Sequence, residues 1–177
     1  MRASGGLEIG NEPTFINAVQ NVLNYKSTSL NTNFNLTATK KLALGLSGEI
    51  SLNDIKYSFR KDLNQKVRNY RSNLYAKWQL LTKSYFETTF NYSVYKNASF
   101  GFNRNIPLWN ASWRQVIGKS NKIDMRLAVF DIFNKNQSIS QSATENYVIN
   151  TTANQLARYF MLSFSYNIKG FDIKNNR

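Results

Sequence analysis

Arg158-Tyr-Phe-Met-Leu-Ser-Phe-Ser-Tyr-Asn-Ile168 decides the fold class of this chain. Phe160, Leu162, Phe164, Tyr166 and Ile168 take every second place, and Met161, Ser163, Ser165 and Asn167 fill the gaps. A period of two belongs to a β-strand, whose successive side chains point to opposite faces. One face here is apolar or aromatic and the other is mostly small and polar. Nearly the same pattern returns along the rest of the chain. A membrane β-barrel is built from such strands, with lipid on one side and water on the other.

Working outward, the alternation predicts an all-β, antiparallel transmembrane barrel of about eight up-and-down strands, each near the roughly ten residues that cross a bilayer. A first strand over 14–25 sets Phe15, Val19, Leu23 and Tyr25 on one side. A second, over 30–39, opposes Leu30, Phe34, Leu36 and Ala38 to Asn31, Asn33 and Asn35. Strands at 42–52, up to 80, 86–94, 109–117, 123–129 and 160–168 follow the same rule. Residues 1–13 read as an irregular N-terminal segment, 14–171 as barrel strands and 172–177 as a periplasmic tail.

The charges sort with the pattern. Glu49, Arg71, Lys77, Glu87, Arg114, Asp124 and Arg126 all fall on the polar parity and are the candidates for the lumen-facing side. Leu44, Leu46, Trp78, Phe90, Trp113, Leu127, Phe160, Leu162, Phe164 and Tyr166 are the lipid-facing candidates. Lys56 and Arg68 break the parity, but both lie toward long connections, where strands project beyond the bilayer. Connections alternate in length: short near 40–41, 81–84 and 118–122, long near 60–66, 96–106 and 134–154. In outer-membrane barrels the short turns are periplasmic. The segment 138–155, rich in Ser, Thr, Asn and Gln, then reads as an external loop.

Composition narrows the chemistry. The 177 residues contain no Cys and no His, which removes thiolate chemistry, His-based hydrolase triads, zinc sites and haem sites. Asp124, Asp131 and Glu145 form no catalytic constellation, and Gly5, Gly6 and Gly10 make no phosphate loop. The expectation is a non-enzyme with no cofactor and no metal. No window approaches the 18 or so continuous apolar residues of a membrane helix. The formal charge of +13 fits two readings equally: an anionic neighbour (nucleic acid, an anionic membrane surface or an acidic ligand), or Lys and Arg that simply solubilise loops. Nucleic acid is set aside, because the apolar face repeats in every strand instead of giving way to one basic groove. Met1-Arg-Ala-Ser-Gly-Gly lacks the apolar core of a secretion signal, which suits a soluble chain or the tail of something longer.

Several runs also resemble a known family: Asn105-Ile-Pro-Leu-Trp-Asn-Ala-Ser112, Leu127-Ala-Val-Phe-Asp-Ile-Phe-Asn-Lys-Asn-Gln-Ser-Ile139, Thr144-Glu-Asn-Tyr147 and Arg158-Tyr-Phe-Met-Leu-Ser-Phe-Ser-Tyr-Asn167. In this order they resemble the C-terminal barrel of Bacteroidota-type TonB-dependent receptor-like outer-membrane proteins. The resemblance implies a bacterial outer-membrane location and a segment of a larger barrel that forms channel wall and extracellular loops for nutrient uptake. It also implies a plug and N-terminal strands elsewhere in the receptor, and an energy-transducing partner. Outer-membrane lipid, lipopolysaccharide and the barrel assembly machinery complete the expected partners. Phe171 sits off the parity of Phe160 to Ile168, a departure from the terminal aromatic residue of many such barrels.

Two other readings share the pattern. One is a self-contained eight-stranded outer-membrane barrel with a structural or adhesive role. The other is a soluble β-domain that binds carbohydrate or an anionic partner. In a soluble sandwich the apolar faces would look inward. Arg at the lipid face near the midplane costs about 2–4 kcal/mol. Leu162→Arg should therefore abolish the heat-modifiable folded band in outer-membrane fractions, and Ser163→Arg should leave it; equal effects would refute the face assignment.

Overall fold

A computed structural model describes residues 1–118, 121–143 and 148–168. The strands are β1 (Arg2–Ile16), β2 (Val19–Thr39), β3 (Leu42–Tyr57), β4 (Gln65–Leu81), β5 (Ser84–Asn97), β6 (Phe102–Ile117), β7 (Ile123–Phe130), β8 (Gln137–Ala143), β9 (Val148–Asn154) and β10 (Tyr159–Tyr166). Eight of them form one antiparallel sheet in the order β1-β2-β3-β4-β5-β6-β7-β10, while β8 and β9 pair only with each other. Each strand of the sheet returns beside the last, so the topology is up-and-down throughout.

Register carries the alternation across the sheet. Phe34 stands opposite Leu46, Leu46 opposite Leu74, Leu74 opposite Phe90 and Phe90 opposite Trp109. Nearer the short turns, Trp78 faces Phe86, Phe86 faces Trp113, and Leu127 lies between Trp113 and Leu162. Cross-strand partners share a face, so these pairs make one apolar band from β2 to β10. A one-residue slip would turn the whole band to water, which is why register is strongly specified here.

That band is not a core. Among the described residues only Ile16, Tyr57 and Ala128 are buried hydrophobics. Phe160, Leu162 and Phe164 are 73%, 57% and 67% exposed. A soluble sandwich would cover this face with a second sheet; the small β8–β9 hairpin is the only other sheet among the described residues. Among the described residues the apolar side chains of this face therefore stand uncovered instead of being tucked between two sheets.

Three boundaries differ from the sequence expectation. Residues 1–13 are not irregular, since β1 begins at Arg2 and is hydrogen-bonded along its whole length to β2. The strand expected over 14–25 is instead a hairpin. Asn17 and Ala18 turn the chain, both with positive φ (50° and 65°), the geometry of a type I′ turn. The turn resets the parity, so Phe15 lies on the apolar face while Val19, Leu23 and Tyr25 lie on the polar one. The connection 96–106 is shorter than expected, whereas 134–154 is part of a longer one, 131–158, between β7 and β10. β5 and β6 are joined by only Ala98–Phe100, one 3-10 turn, plus Gly101 at φ 63°, and 134–154 contains the β8–β9 hairpin. The tail 172–177, Phe171 and Glu145 lie outside the described residues.

The longer connections are anchored from the strands. Asn21 is 2% exposed, and its side-chain oxygen accepts from the backbone N–H groups of Val22 (2.9 Å), Ser58 (2.9 Å) and Phe59 (3.2 Å) and from the Ser58 hydroxyl (2.5 Å). This single amide pins the start of the β3–β4 connection to β2. An L-residue with a Cβ in the left-handed region costs about 1–2 kcal/mol, and Ala18 sits there. Ala18→Gly should stabilise the protein by about 1 kcal/mol, read as a higher urea midpoint in detergent; an unchanged or lower midpoint would contradict the turn geometry.

Candidate functional site: a polar wall of ion pairs and amides

The face opposite the apolar band carries the seven charges singled out in the sequence, and they pair with one another. Glu49 and Arg71 are directly opposed on β3 and β4, and Arg71 Nη1 donates to Glu49 Oε2 at 2.8 Å. Glu87 on β5 receives Lys77 Nζ at 3.1 Å from β4 and Arg126 Nη2 at 3.2 Å from β7. Arg114 Nε donates to Asp124 Oδ2 at 2.6 Å. Arg114 and Arg126 stand directly opposite on β6 and β7, an unfavourable like-charge pair. Asp124 and Glu87 offset it, one for each guanidinium, and Arg126 also donates to the Ser112 hydroxyl at 2.9 Å. The Arg114 guanidinium further lies over the Tyr85 ring, 5.6 Å from its centroid.

Between the two charged zones runs a neutral strip of amides and hydroxyls. Asn33, Ser47, Asn73 and Asn91 fall in one register row from β2 to β5. Asn73 Nδ2 donates to Ser47 Oγ at 3.1 Å, and Asn35 Nδ2 to Asn33 Oδ1 at 2.7 Å. Asn33, Asn35, Ser47, Asn73, Tyr75 and Asn91 border a shallow hollow of about 210 Å³. Each amide offers donors and acceptors, so the strip suits uncharged, hydroxyl-rich or peptide-like groups as well as water. Among the described residues no three Asp, Glu, His or Cys side chains gather as metal ligands.

The opposite face is built for hydrocarbon. The ten lipid-facing candidates share it, and two of its tryptophans spend their N–H internally: Trp109 Nε1 donates to Thr88 Oγ1 at 2.8 Å and Trp113 Nε1 to Ser84 Oγ at 2.7 Å. An unpaired N–H in lipid would cost several kcal/mol. Arg68, on this face, is paired with Asp54 at 2.5 Å near the longer connections. In the 58–64 connection the Arg60 guanidinium, donating at 2.9 Å from Nε and 2.7 Å from Nη2, holds the Asp62 carboxyl below the usual carboxylate range.

A continuous apolar band backed by a charged face neutralised by its own members is what a membrane-spanning strand wall requires. The model of the outer membrane protein beta-barrel family matches residues 7–166, nearly the whole chain. The chain belongs to this outer membrane protein β-barrel family. Its place is accordingly the bacterial outer membrane. No curated protein and no solved structure gave a significant match.

Some residues that shape this outer-membrane barrel wall were not singled out in the sequence. Asp131, 2% exposed with φ 52°, ends β7. Its carboxylate accepts from the N–H groups of Lys135 and Asn136, both at 2.9 Å, while its own N–H donates to Asn110 Oδ1 at 2.9 Å. The turn so made returns Phe133 to the apolar face, 5.6 Å from Trp109 and 6.3 Å from Phe90, centroid to centroid. Asn134 Oδ1 then receives the Arg158 N–H at 3.0 Å and seats the start of β10. The signal was present in Asp131-Ile-Phe-Asn134, where Asp and Asn flank two apolar residues at the end of a strand.

The half-exposed Arg71–Glu49 pair should couple by less than about 1 kcal/mol in a double-mutant cycle. Glu87→Gln should cost more, because it leaves Lys77 without its partner and Arg126 facing Arg114 uncompensated. Urea unfolding of the variants in lipid vesicles checks the order; a Glu49 effect larger than that of Glu87 would overturn this account of the wall.

Proposed function

We propose that this sheet forms part of the wall of a TonB-dependent-receptor-like barrel that admits a nutrient, with the polar face lining the passage and the longer connections forming the mouth. The observation that carries the reading is that eight strands in sequence leave β1 and β10 as the two edges of the sheet, not as partners. Hydrocarbon does not tolerate an open strand edge, and in this reading further strands bond to β1 and β10. Exposure supports this: the Glu49, Arg71 and Arg126 side chains stay 45%, 47% and 46% exposed, and Tyr75 is 39% exposed. The interior of an eight-stranded barrel is just filled by its side chains, whereas a water-lined passage leaves such groups wet.

The runs at 105–112, 127–139, 144–147 and 158–167 add the likeness to Bacteroidota-type receptors. In that setting a plug and N-terminal strands belong to the rest of the receptor, an energy-transducing partner drives uptake, and the barrel assembly machinery inserts the wall. The residues here act by shape, charge and hydrogen bonding rather than by covalent chemistry. A self-contained eight-stranded barrel with a structural or adhesive role requires β1 to pair with β10.

The native gene product, detected in outer membranes with an antibody to this chain, should run well above 20.4 kDa. Cells that depend on it for a limiting nutrient should lose uptake when the proton-motive force is collapsed. A 20.4 kDa species that cross-links between cysteines placed on β1 and β10 would instead establish the small closed barrel.

A further inference from the structure

β6 outruns its neighbour on one side. It pairs with β5 from Phe102 to Gln115, whereas β7 covers it only from Ala111 to Ile117. β10 in turn pairs with β7 over Tyr159–Tyr166 and reaches no higher. The sheet therefore steps down after β6, at the end away from the turns at 40–41, 82–83 and 118–122. In the notch so formed, Phe102–Leu108 keeps an open edge among the described residues. Successive residues of a strand direct their backbone groups to opposite neighbours. The Val116 N–H donates to the Lys83 carbonyl on the β5 side, and the Trp109 carbonyl accepts from the Ile132 N–H on the β7 side, both at 2.8 Å. Even-numbered residues of β6 thus serve β5, and Asn103, Asn105 and Pro107 direct their backbone groups into the notch.

This edge is blunted but not closed. Pro107 has no N–H to offer, and Arg104 Nη1 donates to the Asn103 carbonyl at 2.9 Å. Both devices discourage a foreign strand. The N–H groups of Asn103 and Asn105 and the carbonyls of Asn105 and Pro107 have no backbone partner among the described residues. A complement of matching length lies next to them in the chain. β8 has seven residues, the number from Phe102 to Leu108. It follows β7 after 131–136, and a strand that resumes the direction of β7 runs antiparallel to β6. The two legs of the β8–β9 hairpin are tied at their base. Asn134 Oδ1 accepts from the Arg158 N–H at 3.0 Å, and Arg158 Nη1 donates to the Ile132 carbonyl at 3.2 Å. The hairpin consequently moves as one unit.

We propose that β8 docks on the open edge of β6 and closes the notch, which makes the hairpin a gate at the rim of the wall. Filling the places from Leu108 to Phe102 with Gln137 to Ala143 sets Ser140 opposite Asn105 and Gln141 opposite Arg104. Tethering selects this occupant. A strand held by a short connection meets the edge at an effective concentration in the millimolar range, which offsets the bonds forfeited at Asn103 and Pro107. A separate peptide in dilute solution has no such advantage. At the foot of the notch the Phe130 and Tyr159 rings stack on the polar face, 4.7 Å between centroids. With the gate open they are reached from the side; with it closed the hairpin stands above them. Docking depends on register and not on nutrient uptake, so either reading can fail without the other.

The chain has no cysteine of its own. The pair Asn105→Cys, Ser140→Cys, placed in the native gene product, should oxidise to a disulfide in isolated outer membranes, read by mass spectrometry of tryptic peptides. The pair Ser47→Cys, Ser140→Cys, with one partner three strands away on β3, should stay reduced. Asn105→Pro deletes an N–H that the β5 ladder does not use. It should keep the heat-modifiable folded band and slow oxidation of the pair Arg104→Cys, Gln141→Cys about tenfold through the lost central hydrogen bond. Absence of a disulfide in the first pair, equal oxidation of the control pair, or unchanged oxidation in a folded Asn105→Pro variant would each overturn the proposal. So would loss of the folded band in Asn105→Pro, which would put that N–H in the β5 ladder. A disulfide from Asn105→Cys alone to a separate polypeptide would give the edge another occupant and overturn it as well.

Discussion

Hydrocarbon offers no partner to a peptide N–H or C=O, and this constraint governs every level of the structure. It demands that each strand crossing the membrane be bonded to a neighbour on both sides. The chain answers with long antiparallel ladders, of which β2–β3 runs from Leu23–Tyr57 to Thr39–Leu42 with one irregularity. The same constraint reaches the side chains. Trp109 and Trp113 lie on the lipid face with their N–H groups bonded to a threonine and a serine of the adjacent strand.

Charge is distributed by the same logic. The wall itself is close to neutral: Arg71, Lys77, Arg114 and Arg126 are met by Glu49, Glu87 and Asp124. The large positive balance of the chain resides elsewhere. Lys40, Lys41, Lys83 and Lys122 occupy the tight turns, and Lys56, Lys66 and Lys96 the strand ends nearest the longer connections. Both groups lie outside the apolar band, where water and lipid headgroups solvate an ammonium at little cost. The formal charge of +13 is thus a property of the two membrane surfaces more than of the passage.

Much of this was legible from parity alone. From Leu42 to Leu52, Gly48 apart, and from Phe160 to Tyr166 the alternation holds, and a half-buried strand leaves that trace in any solvent-divided sheet. What parity missed has local causes. The stretch from Ala3 to Glu12 has three glycines, and glycine shows no side chain from which a face can be read. Asn17-Ala18 lacks the glycine that usually marks a two-residue hairpin, so the turn was invisible and two strands were merged. The ion pairs could be anticipated as a set on one face but not as partners, because cross-strand pairing depends on register, and register depends on turn lengths. Asp131 carries its information in backbone geometry rather than in periodicity.

β2 has 21 residues, about 70 Å of extended chain, while the apolar belt of an outer-membrane barrel is about 25 Å tall. Even tilted, such a strand continues well past the lipid on the side of the longer connections. There it stays paired with β1 and β3, and the Asn21 amide ties its end to the next connection. At β1–β3 the rim above the membrane is therefore a stiff hydrogen-bonded palisade. A molecule arriving at such a rim meets groups already fixed in place, and its capture forfeits little chain entropy.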